Sequence, residues 1–192
     1  MRLSTLCLIT ALVTLGGCAL SPQLVELNPR PTVPQQNIGN NTSVQISAQD
    51  QRKDEAFGTR GGIYGSTSLI RPADDLNILL LQSVQKGLQA QGFNAYNPSA
   101  EGPSLEVRLV QLSYVPESGS VVNSVEVKAL IEATASNSSG DEYVGRYMTG
   151  NNYEQPITPS AERNQEMLNE VLERALTKLL TDQKMLSFLA GD

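Results

Sequence analysis

The spacing of apolar residues along this chain changes period several times, and each change marks an element. Val44, Ile46 and Ala48 alternate with polar neighbours, the period-2 pattern of a strand buried on one side. Residues 63–70 alternate less cleanly, broken by Gly65 and rich in Ser and Thr, and read either as a second short strand or as a loop. After Pro72 the spacing becomes helical: Asp74 or Asp75 supplies an N-cap, Leu76, Leu80, Val84 and Leu88 fall on one stripe, and Gly92 ends the helix.

Three strands follow. Leu105, Val107 and Leu109 alternate in one phase and Val110, Leu112 and Tyr114 in the other, so a bulge near Leu109 is predicted. Val125, Val127, Ala129, Ile131, Ala133 and Ala135 share one face, opposite Glu126, Lys128, Glu132 and Thr134, as in a sheet covered on one side only. Asn137-Ser138-Ser139-Gly140-Asp141 turns the chain into a third strand, Tyr143 to Asn151. Leu168, Val171, Leu172, Ala175, Leu176 and Leu179 then form an amphipathic helix from about Ala161 to Leu180. The predicted fold is α+β: an antiparallel sheet of about four to five strands with two helices packed on one face, in ββαβββα order, one domain over residues 43–192.

The N-terminus has a different pattern. Arg2 precedes an apolar stretch containing Leu6, Leu8, Ile9, Leu12, Val13 and Leu15. At about a dozen residues it fits the apolar region of a signal peptide and falls short of the roughly 20 needed to span a bilayer. Leu15-Gly16-Gly17-Cys18 is a lipobox, with small residues before a cysteine whose thiol takes a diacylglyceryl group. Residues 1–17 are therefore expected to be a signal peptide cut between Gly17 and Cys18. Each buried methylene contributes about 0.8 kcal/mol, so two or three acyl chains on Cys18 would hold the protein to a membrane durably. Ala19 replaces the Asp that retains such proteins at the inner membrane, which points to the outer membrane. Residues 18–42, with Pro22, Pro29, Pro31 and Pro34 among Gln, Asn and Ser, read as the lipidated N-terminus and a flexible tether. Its mean reach would be on the order of 27 Å, and about 80 Å fully extended. Leu24, Val25 and Leu27 allow a second reading, an added strand packed on the domain.

Composition narrows the chemistry. The chain has 20 acidic and 14 basic residues and a net charge of −6, with no basic run to attract a phosphate backbone, which disfavours nucleic acid as a partner. It has no histidine, and of its two cysteines Cys7 leaves with the signal while Cys18 is acylated. That removes His-based triads, His and Cys metal sites and disulfides, and no cofactor is expected. Carboxylate-only or Ser-Lys chemistry remains, without a spacing that announces it.

Four local features invite a functional reading. The Asp50 to Glu55 cluster is either a ligand site or a solvated loop with local ion pairs. Tyr143, Tyr147 and Tyr153 fall on one side of their strand, as a partner surface that stacks on sugar rings or protein, or as a ladder packing the sheet's outer face. Gly58, Gly61, Gly62 and Gly65 are only loosely like a phosphate loop. Beyond the last helix, Met185-Leu186 and Phe188-Leu189 read as its exposed end.

Taken with the lipobox at Cys18, Pro34-Gln35-Gln36, Asp50-Gln51-Arg52, the helix ending near Gly92-Phe93, Ala133-Thr134-Ala135, the Tyr143 to Asn152 strand and the closing helix near Phe188, the chain resembles the YajG family of bacterial envelope lipoproteins. The resemblance implies an outer-membrane lipoprotein, and it brings no catalytic residues. The expected protein is a non-enzymatic, lipid-anchored binding or assembly module facing the periplasm, with the membrane and an envelope protein as partners. A binder of a small envelope ligand, glycan or lipid, is the alternative, and a carboxylate-based hydrolase the third.

Overall fold

A computed structural model describes residues 22–61, 65–96, 102–117, 123–155 and 157–191. The expected signal peptide, residues 1–17, and Cys18 lie outside them. Seven strands, β1 (Gln23–Val25), β2 (Gln45–Asp50), β3 (Gly58–Thr59), β4 (Leu69–Pro72), β5 (Ser104–Glu117), β6 (Asn123–Ser136) and β7 (Glu142–Gln155), make one sheet. Its order is β1-β4-β3-β5-β6-β7, and β2 also pairs with β5. The helices are α1 (Leu76–Ala90), α2 (Ala161–Leu180) and α3 (Gln183–Ala190). The expected α+β class holds, with more strands and one more helix than predicted. The sheet is mixed, because β1 runs parallel to β4, and β2 and β3 run parallel to β5. Two- to four-residue strands such as β3 and β4 carry too few apolar positions to show a period.

The β5–β6–β7 meander holds the longest strands of the sheet and ends in the edge strand β7. Val125, Val127, Ala129, Ile131, Ala133 and Ala135 are all buried, facing the helices as their alternation predicts. The pairing of β5 with β6 shifts register between Leu109 and Gln111, which is the predicted bulge. The parallel partner of β5 is interrupted at the same place. β2 leaves after the Gln51 N–H donates to the Leu109 carbonyl, and β3 joins where the Tyr114 N–H donates to the Phe57 carbonyl.

α1 begins where expected: the Asp75 carboxylate accepts from the Asn77 N–H at 2.8 Å, and Gly92 follows its end at φ +87°, in the left-handed region that favours glycine. α2 is capped by Ser160, whose hydroxyl accepts the Arg163 N–H at 3.2 Å. It buries Leu168, Val171, Leu172, Ala175, Leu176 and Leu179, each larger apolar side chain contributing roughly 1.5–3 kcal/mol. Thr181 ends α2, Asp182 caps α3, and Met185, Leu186 and Leu189 turn into the core, correcting the expectation of an exposed end. That end is buried because the break at Thr181 folds the chain back over β6 and β7.

Over residues 22–42 the expected flexible tether gives way to the second reading, a strand added to the domain. Residues 22–42 lie on the domain. β1 adds a parallel strand to β4, with Val25 and Leu27 buried and Leu24 outward. Residues 26–36 then form a strap along α2. The amides of Asn28, Arg30 and Thr32 donate to the side chains of Asn169, Glu173 and Thr177 at 2.7, 3.1 and 3.1 Å. Four helical residues rise about 6.0 Å and two polyproline-type residues about 6.2 Å, so alternate amides meet every fourth side chain. Pro29 and Pro31, which have no N–H to satisfy, occupy the intervening positions. The strap finishes where the Gln36 and Gly39 amides cap the carbonyls of Ala90 and Gln91 at the end of α1.

Candidate functional site

The tyrosines of β7 do not form a partner surface. Odd-numbered residues of this strand face the helices, so Tyr147 and Tyr153 are buried and Tyr143 is half-buried against Phe188, with ring centroids 6.3 Å apart. For Tyr143 and Tyr147 the hydroxyls explain the inward choice. Those of Tyr143 and Tyr147 donate to one oxygen of Asp182 at 3.0 and 2.7 Å, while its other oxygen caps α3 by accepting from Lys184 and Met185 N–H groups. Burial alone would raise the Asp182 pKa, but the two phenols and the two amides outweigh it and hold the carboxyl below its ordinary value. The phenol of Tyr147 is pushed up by burial first and by Asp182 second. Gly145 makes this reach possible, since a Cβ there would strike the Tyr147 hydroxyl. Asp182 is thus a staple between sheet and helices, with its acceptor positions filled.

A second buried polar chain fixes β1. The Tyr114 hydroxyl donates to Asn164 Oδ1 at 2.7 Å, Asn164 Nδ2 donates to Gln23 Oε1 at 2.9 Å, and Gln23 Nε2 donates to the Ala161 carbonyl at 3.0 Å. Burial raises the Tyr114 pKa to about 12, against an opposing influence from Arg60.

The Asp50 to Glu55 cluster is a loop with a local ion pair, exposed at Lys53, Asp54 and Glu55 and buried at its centre. Arg52 is almost wholly buried, held by both Asp50 oxygens at 2.9 Å and lying 4.7 Å above the Phe57 ring. It lines a cavity of about 420 Å³ with Phe57, Val110 and Leu112, where the parallel strand departs at the bulge. Gly58 and Gly61 have positive φ and belong to β3 and its exit, and a Cβ at Gly58 would meet the Tyr114 carbonyl. Gly62 lies outside the described residues.

Two surfaces remain open. The outer face of the meander is laced with ion pairs: Lys128 with Glu126 at 2.7 Å, and Arg146 with Glu132 at 3.0 Å. Leu130 interrupts this polar face, paired with Met148 across β6–β7, and Met148 and Val144 are about 60 % exposed. Sequence reasoning missed them, although Leu130 is the one apolar residue in the outward phase of β6, and that signal was available. Beside it the open edge of β7 is covered by α2: Lys178 and Arg174 donate to the carbonyls of Met148 and Gly150 at 2.9 and 3.3 Å. The other surface is a half-open groove of about 800 Å³ between the strap and α1, lined by Leu27, Pro29, Pro31, Val33, Ile78 and Lys86 among others. It lies over the helices, whereas the space between helices and sheet is filled by side chains.

Among the described residues no group of His, Cys, Asp or Glu is placed to hold a metal ion, and no helix is long and apolar enough to cross a membrane. The fold and these surfaces define a small helix-on-sheet domain whose strap closes over its own helices. The sequence profile of a family described as uncharacterized lipoproteins matches residues 29–190, and the chain belongs to that family, the YajG lipoproteins. It is 28% identical over 185 residues to the uncharacterized lipoprotein YajG of Escherichia coli K12, covering 94% of this chain and 93% of that protein. A crystal structure of a Xanthomonas campestris protein is similar with a TM-score of 0.46 and 16% identity, covering 88% of this chain and 95% of the other. The rare lipoprotein B of Shewanella oneidensis is similar with a TM-score of 0.44 and 13% identity, covering 78% and 94%.

Proposed function

We propose that this envelope lipoprotein is anchored through acylated Cys18 in the outer membrane, faces the periplasm, and acts as a non-enzymatic binding or assembly module for another envelope protein. The observation that supports it is the uncovered face of the meander, made of three 14-residue strands, with exposed Met148 and Val144 set among paired charges and Leu130, only 7% exposed, packed beneath Met148. An apolar centre with a polar rim is the usual anatomy of a protein interface. A catalytic reading gains nothing from the carboxylates the chain commits elsewhere, since Asp50, Asp75 and Asp182 are respectively an arginine clamp and two helix caps. The test is crosslinking in living cells followed by affinity capture, comparing the native protein with Cys18→Ser and Met148→Lys. Capture of one envelope protein at near stoichiometry by the native form, and its loss in both variants, is the expected result. Equal capture by Met148→Lys would remove the outer face from the interface. The groove beside the strap favours a second reading, a small glycan or lipid ligand. A ligand that raises the melting temperature of the native domain and not of Ile78→Arg would establish it.

A further inference from the structure

We infer that the end of the domain carrying Gln23 and Ile157 is seated directly on the lipid surface by a leash too short to let it swing free. This rests on the reading of Cys18 as the anchor.

Gln23 is not part of a spacer. Its backbone is paired with Ile70 in the sheet, its side chain bonds both Asn164 and the first carbonyl of α2, and Val25 two residues on is buried. Only five residue steps separate Cys18 from this fixed point. Fully extended they span at most about 17 Å. The headgroup zone takes roughly 6 Å of that, being about half the difference between a bilayer of about 42 Å and its core of about 30 Å. About 11 Å is left, whereas a 14-residue strand rises about 46 Å.

Pairing shows which end this is. Glu117 of β5 lies opposite Ser124 of β6, and Ser124 opposite Glu154 of β7, so the end of β5, the start of β6 and the end of β7 are together. The link from β7 to α2 leaves from there, and Tyr114 joins it to Asn164. The Asn137–Asp141 turn and the Tyr143–Asp182 staple are at the other end. At the anchored end Ile157 is 75% exposed and Leu24 67% exposed, apolar side chains that a headgroup layer accommodates. Glu26, Glu117, Glu154 and Glu162 are exposed around them, against exposed Arg71 beside Leu24 and half-buried Arg60 and Arg163, so the balance stays acidic and the seat suits a zwitterionic surface. The outer face of the meander then rises beside the membrane, within reach of a neighbour that is itself membrane-bound.

The chain has no tryptophan, so one can be introduced as the only donor. Acylated full-length Ile157→Trp and Ser139→Trp proteins would be reconstituted in phosphatidylcholine–phosphatidylethanolamine vesicles carrying a dansyl headgroup lipid. Energy transfer should be several-fold stronger from position 157 than from 139. A Gly/Ser insertion of about 20 residues after Ser21, which adds a mean reach of roughly 25 Å, should abolish the difference. Equal transfer from the two positions without the insertion overturns the seating, as does a difference that the insertion leaves intact. Co-flotation with the vesicles reads the anchor separately: protein that does not float defeats the Cys18 reading and the seating together, whereas floating protein with equal transfer defeats only the seating.

Discussion

The meander and the strap are both extended backbone on one domain, and they are held by different forces. In the meander each strand satisfies its backbone against another strand, and one face of alternating apolar residues is buried under helices. In the strap the backbone donors go to helix side chains, Asn169, Glu173 and Thr177, and the alternate positions are prolines that have no donor. A proline-rich, polar stretch therefore does not have to be a loose linker. The same features that keep it out of a sheet interior, fixed φ and missing amides, suit it to lie along a helix. Because it is bonded through side chains at a half-exposed surface, each of its contacts is worth less than one in the core.

If one core carries both regions, a cavity in α2 must weaken both at once. Leu176 is fully buried, and Leu176→Ala is expected to cost about 2–5 kcal/mol by chemical denaturation, with one transition for the whole domain. Separate transitions for strap and meander would break that picture. Asn164→Ala comes next, at about 1–3 kcal/mol, because it leaves the buried hydroxyl of Tyr114 and the Oε1 of Gln23 without partners. Adding Tyr114→Phe should recover part of the loss. Hydrogen exchange should rise first at the β1 amides, and a uniform rise across β5–β7 would mean that β1 is not a separately held unit.

How far each region was legible follows from the same contrast. α1, α2, the bulge after Leu109 and the inward face of β6 were readable because apolar burial is periodic and local. The strap was not, since its partners Asn169 to Thr177 are some 140 residues away and the prolines that fill its alternate inward positions between Leu27 and Val33 read as linker. The inward turn of Tyr143 and Tyr147 depends on Asp182, and tyrosine fits either face of a sheet until its hydroxyl has a partner. The short strands β3 and β4 are fixed by pairing to β5 and to each other, not by composition. For the candidate site, Leu130 was visible as an apolar residue out of phase, but Met148 and Val144 acquired meaning only once β7 was known to face outward with its even residues.

Asp182 ties the end of the meander to α3, so its titration probes the junction. Its pKa is lowered on folding, so the stability it contributes is present above the ordinary value of 3.8 and is lost as pH falls through the folded value. The raised pKa of Tyr114 works at the opposite limit: its contribution is complete below pH 10 and is lost as pH rises through about 12. Asp182→Asn should flatten the acid side of the stability profile and leave the late ionisation of Tyr114 in place, followed by phenolate absorbance. An unchanged acid limb would show that other carboxylates dominate it. Asp182→Ala, which also removes the α3 cap, should cost about 1–2 kcal/mol at neutral pH.

The smallest effect tests the strap most sharply. Thr177→Val keeps the shape of the side chain and deletes the acceptor for the Thr32 amide. Thr32 is exposed, so the amide can turn to water, and the cost should be only about 0.5 kcal/mol. Exchange of the Thr32 amide should accelerate while those of Asn28 and Arg30, bonded to Asn169 and Glu173, keep their protection. If all three accelerate together, the strap docks as one cooperative unit with each helix side chain reading the same register. If none does, the side-chain acceptors are incidental, and the packing of Leu27, Pro29 and Val33 against the helices holds the strap down.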